Sequence, residues 1–361
     1  MSTAIDQPSS VRGDDALDMA AVTAWLHENV RGLAGTPSVR QYRGGASNLT
    51  YLLTWPSHDG RPERELILRR PPFGKKARSA HDMGREVRFL RALRPFYDGL
   101  PEVAAYCEDP SVADGEFYTM QRIRGIILRQ DIPPDLGLDA LRTRALCDAV
   151  LDRLVALHSI DVDAHGLGHL GKGAGYVGRQ VTGWSRRYRA ALTPGAADFE
   201  RVMRWLDENQ PPDVATCVIH GDFRFDNVVL DAADPTRPIG VLDWEMATLG
   251  DPLMDLGSSL AYWVEPGDEL VMQMMRRQPT NAPGMRTRAE VWAHYAERTG
   301  RVISDTDFYE VYGLFRLAGI LQQIWYRFHH GQTRNPAFAA FGDLAIYLDA
   351  RCQGILDKRG E

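Results

Sequence analysis

The chain lacks any run approaching the roughly 18 consecutive apolar residues that a membrane-spanning helix needs, so no membrane partner is expected. Cysteine is scarce. The four present, Cys107, Cys147, Cys217 and Cys352, lie far apart and form no C-x-x-C pair, which argues against a disulfide framework and a structural zinc site. Reduced thiols in a cytoplasm are the simplest expectation. There is no basic stripe or tail: 42 Lys and Arg are spread along the chain against 48 Asp and Glu, a formal net charge of −6, so nucleic acid is not an expected partner. The opening MSTAIDQPSSVRGDD has no basic segment followed by an apolar one, so no export signal is expected. What remains, 361 residues with 44% hydrophobic and 25% charged, reads as an enzyme or binding protein of two lobes or domains, since one core seldom holds so long a chain.

Leu17, Ala21, Val22, Trp25 and Leu26 recur at three- and four-residue spacing and predict a first helix. Short β-like runs follow at 38–41, 49–55 and 65–69, then a helix from Glu86 to Leu93, then strands at 102–106 and 116–123. From Leu138 to His158 the period becomes helical, with Leu146, Val150, Leu154 and Leu157 near one face. Strands with one intervening helix, followed by helices, predict an α+β chain divided near residues 121–125. The expected parts are a small sheet-rich region over 1–121 and a larger helical region over 122–361.

The chemistry-bearing text is CVIHGDFRFDNVVLD at 217–231 and IGVLDWEMATLGDPLMDLG at 239–257. His220-Gly221-Asp222 reads as a turn, Asn227 follows Asp222 by five residues, and VVL at 228–230 reads as a strand. A second strand, IGVLD, ends at Asp243, and a hairpin of the two would bring Asn227 and Asp243 to one end. Phosphoryl transfer needs such groups: hard oxygen ligands for Mg²⁺, which Asn227 and Asp243 suit, and a carboxylate beside the acceptor hydroxyl, which Asp222 suits. A lone aspartate before a strand is usually a turn former, and His220 reads as orienting its loop. The spacing H-x-D-x-x-x-x-N joined to a downstream strand-terminal aspartate is what makes the pattern specific.

HGDFRFDN with VLDWE and GDPLMDL resembles the aminoglycoside phosphotransferase superfamily, whose fold is similar to that of protein kinases. More closely it resembles the kinase-like domain fused to acyl-CoA dehydrogenases in animals, and that domain's free-standing bacterial relatives. The resemblance implies a bilobal fold with an ATP-binding N-lobe and a helical, acceptor-binding C-lobe. It marks Asp222 as the base, Asn227 and Asp243 as metal ligands, and Asp255 as the anchor of the catalytic loop. Asp255 also lies near a helix start, where a capping role is an equal alternative.

Between two strands, Arg43-Gly44-Gly45-Ala46-Ser47-Asn48 offers small residues whose backbone N–H groups can approach phosphate. Paired glycines in a hairpin are usually turn residues, but the resemblance makes this the phosphate lid, with Gly45, Ser47 and Asn48 as contacts. In kinases a strand lysine binds the phosphates and pairs with a helix glutamate. Here ELILRR puts Arg69 at that strand position, in a register left open against Arg70, and GREVRFL offers Glu86. An arginine there keeps the charge and adds a planar fork. The resemblance also makes 118–123 the hinge, with Gln121 and Ile123 beside the adenine.

The expected function is a Mg²⁺-dependent, ATP-dependent transfer to a hydroxyl of a small molecule. Between Ala164 and Ala197 there is no Asp or Glu, but there are Lys172, Arg179, Arg186, Arg187 and Arg189; Arg316, Arg327, His329 and His330 are further cationic candidates. A cationic wall suits an anionic acceptor better than a polycationic aminoglycoside, and the resemblance favours a hydroxyacyl-CoA. Val181, Trp184, Tyr188 and Ala191 form an apolar helical face, so the arginines on its solvated side are an equal reading. The alternatives are an aminoglycoside kinase, a catalytically silent nucleotide-binding scaffold and a protein kinase. Asp222, Asn227 and Asp243 together weigh against the scaffold, and the absence of D-F-G and A-P-E weighs against the protein kinase.

Overall fold

The computed structural model describes residues 7–42, 48–57, 63–72 and 82–360. They divide into two compact units, the first formed by 1–128, 133–137 and 227–247, the second by 129–132, 138–226 and 248–361.

The first unit is built on a five-stranded antiparallel sheet of β1 (Ser38–Gln41), β2 (Leu49–Trp55), β3 (Arg64–Arg70), β4 (Val103–Cys107) and β5 (Phe117–Gln121), in the order β1-β2-β3-β5-β4. Alternate residues Tyr51, Leu53 and Trp55 of β2 join Leu68 and Phe117 in one buried cluster, closed by Val22 and Leu26 of α1 (Met19–Asn29). The Asp18 carboxylate starts α1 by accepting from the Ala20 and Ala21 N–H groups. The helix before β4, α2 (Met83–Leu93), begins three residues earlier than its apolar period implies, because Asp82 caps it through the Arg85 N–H. A one-turn helix, α3 (Pro110–Ala113), separates β4 from β5.

Four shorter strands, β6 (Cys217–Ile219), β7 (Val228–Leu230), β8 (Pro238–Val241) and β9 (Thr248–Gly250), pair as β6 with β9 and β7 with β8. The β7–β8 hairpin belongs to the first unit, joined through the Ile126–Leu230 bridge and the Val241 N–H bond to the Gly99 carbonyl.

The second unit is otherwise helical: α4 (Ala140–His158), α5 (Tyr176–Ala190), α6 (Glu200–Glu208), α7 (Pro252–Leu260), α8 (Leu270–Met275), α9 (Arg288–Thr299), α10 (Asp307–His329) and α11 (Phe341–Arg359). α7 and α10 cross at glycines. A Cβ on Gly313 would stand 2.3 Å from the Gly257 carbonyl oxygen, and one on Gly257 would stand 2.6 Å from the Tyr309 carbonyl oxygen, so no larger residue permits this approach. The contact sets Asp255 on α7 and Arg316 on α10 toward the loop after β6. All four cysteines are free and buried. Among the described residues no helix is long and apolar enough to cross a membrane.

Candidate active site

In the first unit, strand alternation decides between the two arginines of β3. Arg69 reaches Glu86 of α2, Nη1 to Oε1 at 2.5 Å, whereas Arg70 turns to the carbonyls of Pro71, Ala113 and Asp114. The other end of the Arg69 fork meets Asp243 Oδ1 at 2.8 Å, with Glu245 Oε2 at 3.6 Å. Burial works against the Arg69 charge, but Glu86, Asp243 and Glu245 outweigh it and hold its pKa well above the ordinary value. Burial pushes the Glu86 carboxyl up, and Arg69 opposes that. Glu86 Oε1 also accepts the Trp244 N–H at 3.2 Å, which ties α2 to the turn carrying Asp243.

The hairpin does bring Asn227 and Asp243 to one end: Val228 pairs with Val241, and the Leu242 N–H donates to the Asn227 carbonyl at 2.8 Å. β8 stops at Val241, two residues short of the expected end at Asp243. Asp243 instead takes φ 68°, ψ 62°, a left-handed conformation that a non-glycine residue holds only under outside constraint. Arg69 supplies one such constraint. Arg85 supplies another, its guanidinium bound to the Ala247 carbonyl at 2.5 Å. Asn48, before β2, donates its amide to Glu245 Oε2 at 2.6 Å. Gly45 and Ser47 lie outside the described residues. β5 ends at Gln121, short of the expected 123; the Gln121 N–H is taken by the Glu102 carbonyl, while the Ile123 backbone bonds to no described residue. Glu245 is the residue the sequence reading missed here; its only signal is a second carboxylate two positions after Asp243.

In the second unit, His220-Gly221-Asp222 leaves β6 with Gly221 at φ +79°, and a buried carboxylate fixes the bend. Asp255, 2% exposed, accepts the His220 N–H at 2.8 Å and the Gly221 N–H at 2.9 Å. His158 Nε2 lies 3.1 Å from the same carboxylate, and its Nδ1 lies 2.8 Å from the Tyr295 hydroxyl. An ionised carboxylate only accepts, so Nε2 donates to it. Burial alone would raise the Asp255 carboxyl, but the bonds from His158 and the loop hold it below the usual range. Capping of α7 is done by Asp251, which accepts from Leu253 and Met254. Asp255 is therefore the loop's anchor in geometry.

Asp222 itself is partly exposed and paired with Arg224 at 3.1 Å. Arg224 also faces Asp226 at 3.3 Å and lies 4.8 Å from the Tyr262 ring centre. Burial holds the Asp226 carboxyl above its ordinary value, with Arg224 opposing and Asp222 adding to it. Beneath the loop, Arg316 of α10, 6% exposed, donates to the Gly221 carbonyl at 2.7 Å. Arg224 is the second residue that the sequence reading passed over. The arginines of α5 divide between both readings of that helix: Val181, Trp184 and Tyr188 are buried, Arg186 and Arg189 are exposed, and Arg187 lies 4.0 Å from the Trp184 ring centre.

Among the described residues no group of three or more His, Cys, Asp or Glu could hold a metal ion alone. Asn227 with Asp243 is the kind of sparse oxygen set that suits Mg²⁺, a cation usually held by one or two carboxylates together with substrate phosphates.

A sheet-rich N-terminal part, a helical C-terminal part and an ionised strand–helix pair define a protein-kinase-like α+β fold. The chain belongs to the phosphotransferase enzyme family, whose model matches residues 38–291. Acyl-CoA dehydrogenase family member 10 of Mus musculus is 34% identical over 342 residues, 93% of this chain and 31% of that protein, so the chain spans about a third of that curated relative. A crystal structure from Ralstonia eutropha JMP134, provisionally described as an aminoglycoside phosphotransferase, is 31% identical with a TM-score of 0.78, covering 95% of this chain and 99% of that one. A thermostable aminoglycoside phosphotransferase mutant in ternary complex with AMP-PNP and hygromycin B is 16% identical with a TM-score of 0.57, over 93% and 98% of the two chains, and shows the fold alone.

Proposed function

We propose that the chain is a Mg²⁺-dependent kinase that moves the γ-phosphoryl group of ATP to a hydroxyl of a small anionic molecule, with Asp222 as general base. The observation that carries this reading is the pinned 220–222 bend, whose two N–H groups are committed to buried Asp255 so that the Asp222 carboxylate stands at a fixed, partly exposed position. Asp222 takes the proton of the acceptor hydroxyl. The oxygen bonds to the γ-phosphorus while the bond to the β–γ bridging oxygen breaks, and ADP leaves with that electron pair. Arg69, aligned by Glu86, is the cation for the phosphates, and Gly45, Ser47 and Asn48 form the lid over them. Gln121 and Ile123 form the hinge for the adenine, Ile123 through backbone groups that no described residue uses. Asn227 and Asp243 would hold Mg²⁺, which when bound neutralises charge on the phosphates. The AMP-PNP bound by a protein of this fold supports ATP as donor.

The acid-free stretch from Ala164 to Ala197 supports an anionic acceptor, and the kinship with an acyl-CoA dehydrogenase family member favours a hydroxyacyl-CoA. Incubation of the purified chain with labelled ATP and Mg²⁺ tests the reading. The acceptors are hydroxyacyl-CoA esters, other hydroxylated metabolites and kanamycin-like aminoglycosides. Label in an anionic alcohol is the expected result; label in aminoglycosides alone would overturn the acceptor class.

A further inference from the structure

Arginine is costly to remove from water unless a carboxylate or several acceptors meet it. Two arginines of α5 are met in this way: Arg189 is paired with Glu200 at 2.7 Å, and Arg179 donates to the Gly173 carbonyl at 2.6 Å. Arg187 and Arg316 are not. The Arg187 Nε is buried and bonds to no described residue. Arg316 is almost wholly buried with the Gly221 carbonyl as its hydrogen-bond acceptor, and among the described residues neither arginine forms an ion pair with a carboxylate.

The two are gathered on one indole. Arg187 stands 4.0 Å and Arg316 5.6 Å from the Trp184 ring centre. Gly319, one turn beyond Arg316, makes this fit, since a Cβ there would lie 3.0 Å from Trp184 Cε3. Burial, and then the nearby guanidiniums of Arg186 and Arg316, hold Arg187 below its ordinary value, against an opposing pull from Tyr312. The indole face favours each cation but cannot cancel their mutual repulsion. Arg187 is partly exposed, while Trp184 and Arg316, with which it shares the indole, are buried. The cluster therefore has both a buried floor and a face open to solvent.

We infer that Arg187 and Arg316, gathered on Trp184, form a subsite for one anionic group of the acceptor, a carboxylate or a phosphate. Its place in the reaction rests on the phosphotransferase reading. Because Arg316 holds the carbonyl of Gly221, next to Asp222, the acceptor carries its charge close to the hydroxyl that is phosphorylated. A planar fork that is only partly satisfied gives such a group directional hydrogen bonds as well as charge.

Calorimetric titration of the purified chain in saturating ADP tests the subsite without requiring turnover. The probes are inorganic phosphate, lactate, lactamide and coenzyme A. Phosphate and lactate should bind the unmutated chain and lactamide should not. Arg187→Gln should weaken the anions by about tenfold, the scale of one charge-assisted hydrogen bond, with an unchanged melting midpoint. Binding of coenzyme A without lactate would place the anion on a phosphate and still support the subsite. Measurable binding of lactate and lactamide with equal affinity, failure of phosphate, lactate and coenzyme A alike to bind, or equal anion affinity in Arg187→Gln, would overturn it. Loss of phosphoryl transfer with anion binding intact would instead fault the kinase reading.

Discussion

Replacing Asp255 by asparagine keeps the shape of the side chain and removes its charge, so it isolates what the anchor does. Three donors converge on the carboxylate: the His220 and Gly221 N–H groups at 2.8 and 2.9 Å and His158 Nε2 at 3.1 Å. Asparagine offers one accepting oxygen, and its NH₂ faces at least one of these donors. A hydrogen bond to a charged group contributes about 1.5–3 kcal/mol, and a buried donor left unmade costs ~1–3 kcal/mol. Unmaking one bond and discharging the others should cost ~3 kcal/mol, a large share of the ~5–15 kcal/mol by which folded domains are stable. Urea unfolding followed by tryptophan fluorescence measures this. The pH dependence has a definite sign. Asp255 is held below the usual carboxylate range, so its contribution is complete above the unfolded pKa of about 3.9 and is lost as pH falls through the lower folded value. The gap between wild type and Asp255→Asn should be flat at neutral pH and close only in acid. An asparagine variant within ~0.5 kcal/mol of wild type, the scatter of ordinary surface changes, would refute the anchor.

Arg69→Met leaves the buried Glu86 carboxylate without its cation and should destabilise the protein by ~3–5 kcal/mol in denaturant unfolding, with Arg69→Lys intermediate; equal stabilities would remove the ion pair from the account. Gly313→Ala must part α10 from α7, since its Cβ would stand 2.3 Å from a carbonyl oxygen; a cost of ~1–3 kcal/mol should lower the melting midpoint, and an unchanged midpoint would contradict the close crossing. Asp243→Ala should weaken nucleotide binding much more in Mg²⁺ than in EDTA, whereas an equal loss in both would make Asp243 purely structural.

Local pattern carried the reading of the first unit a long way. β1 and β2 occupy the positions that their alternation implies, and α2 differs only because a cap at Asp82 recruits residues ahead of the first apolar position. The end of β8 was not legible, because the left-handed turn at Asp243 is enforced by Arg69, 174 residues earlier in the chain. Whether Asp251 or Asp255 caps α7 could be weighed from Pro252, which favours the first helical position and so makes Asp251 the cap. That Asp255 reaches back to residues 220 and 221 is a tertiary fact with no local trace. The same holds for Arg316 and Gly221. On α5 the apolar period separated Trp184 and Tyr188 from the arginines; what distinguishes Arg187 from exposed Arg186 is its place on the Trp184 ring, which Arg316 of α10 also approaches.

The claim that Asp222 is the base of a phosphoryl transfer is tested most directly by following label from γ-labelled ATP into an anionic alcohol, with wild type and Asp222→Asn side by side. The account predicts Mg²⁺-dependent transfer by wild type, with turnover lower by at least ~10²-fold in Asp222→Asn and nucleotide affinity little changed. Near-normal turnover in Asp222→Asn would contradict it.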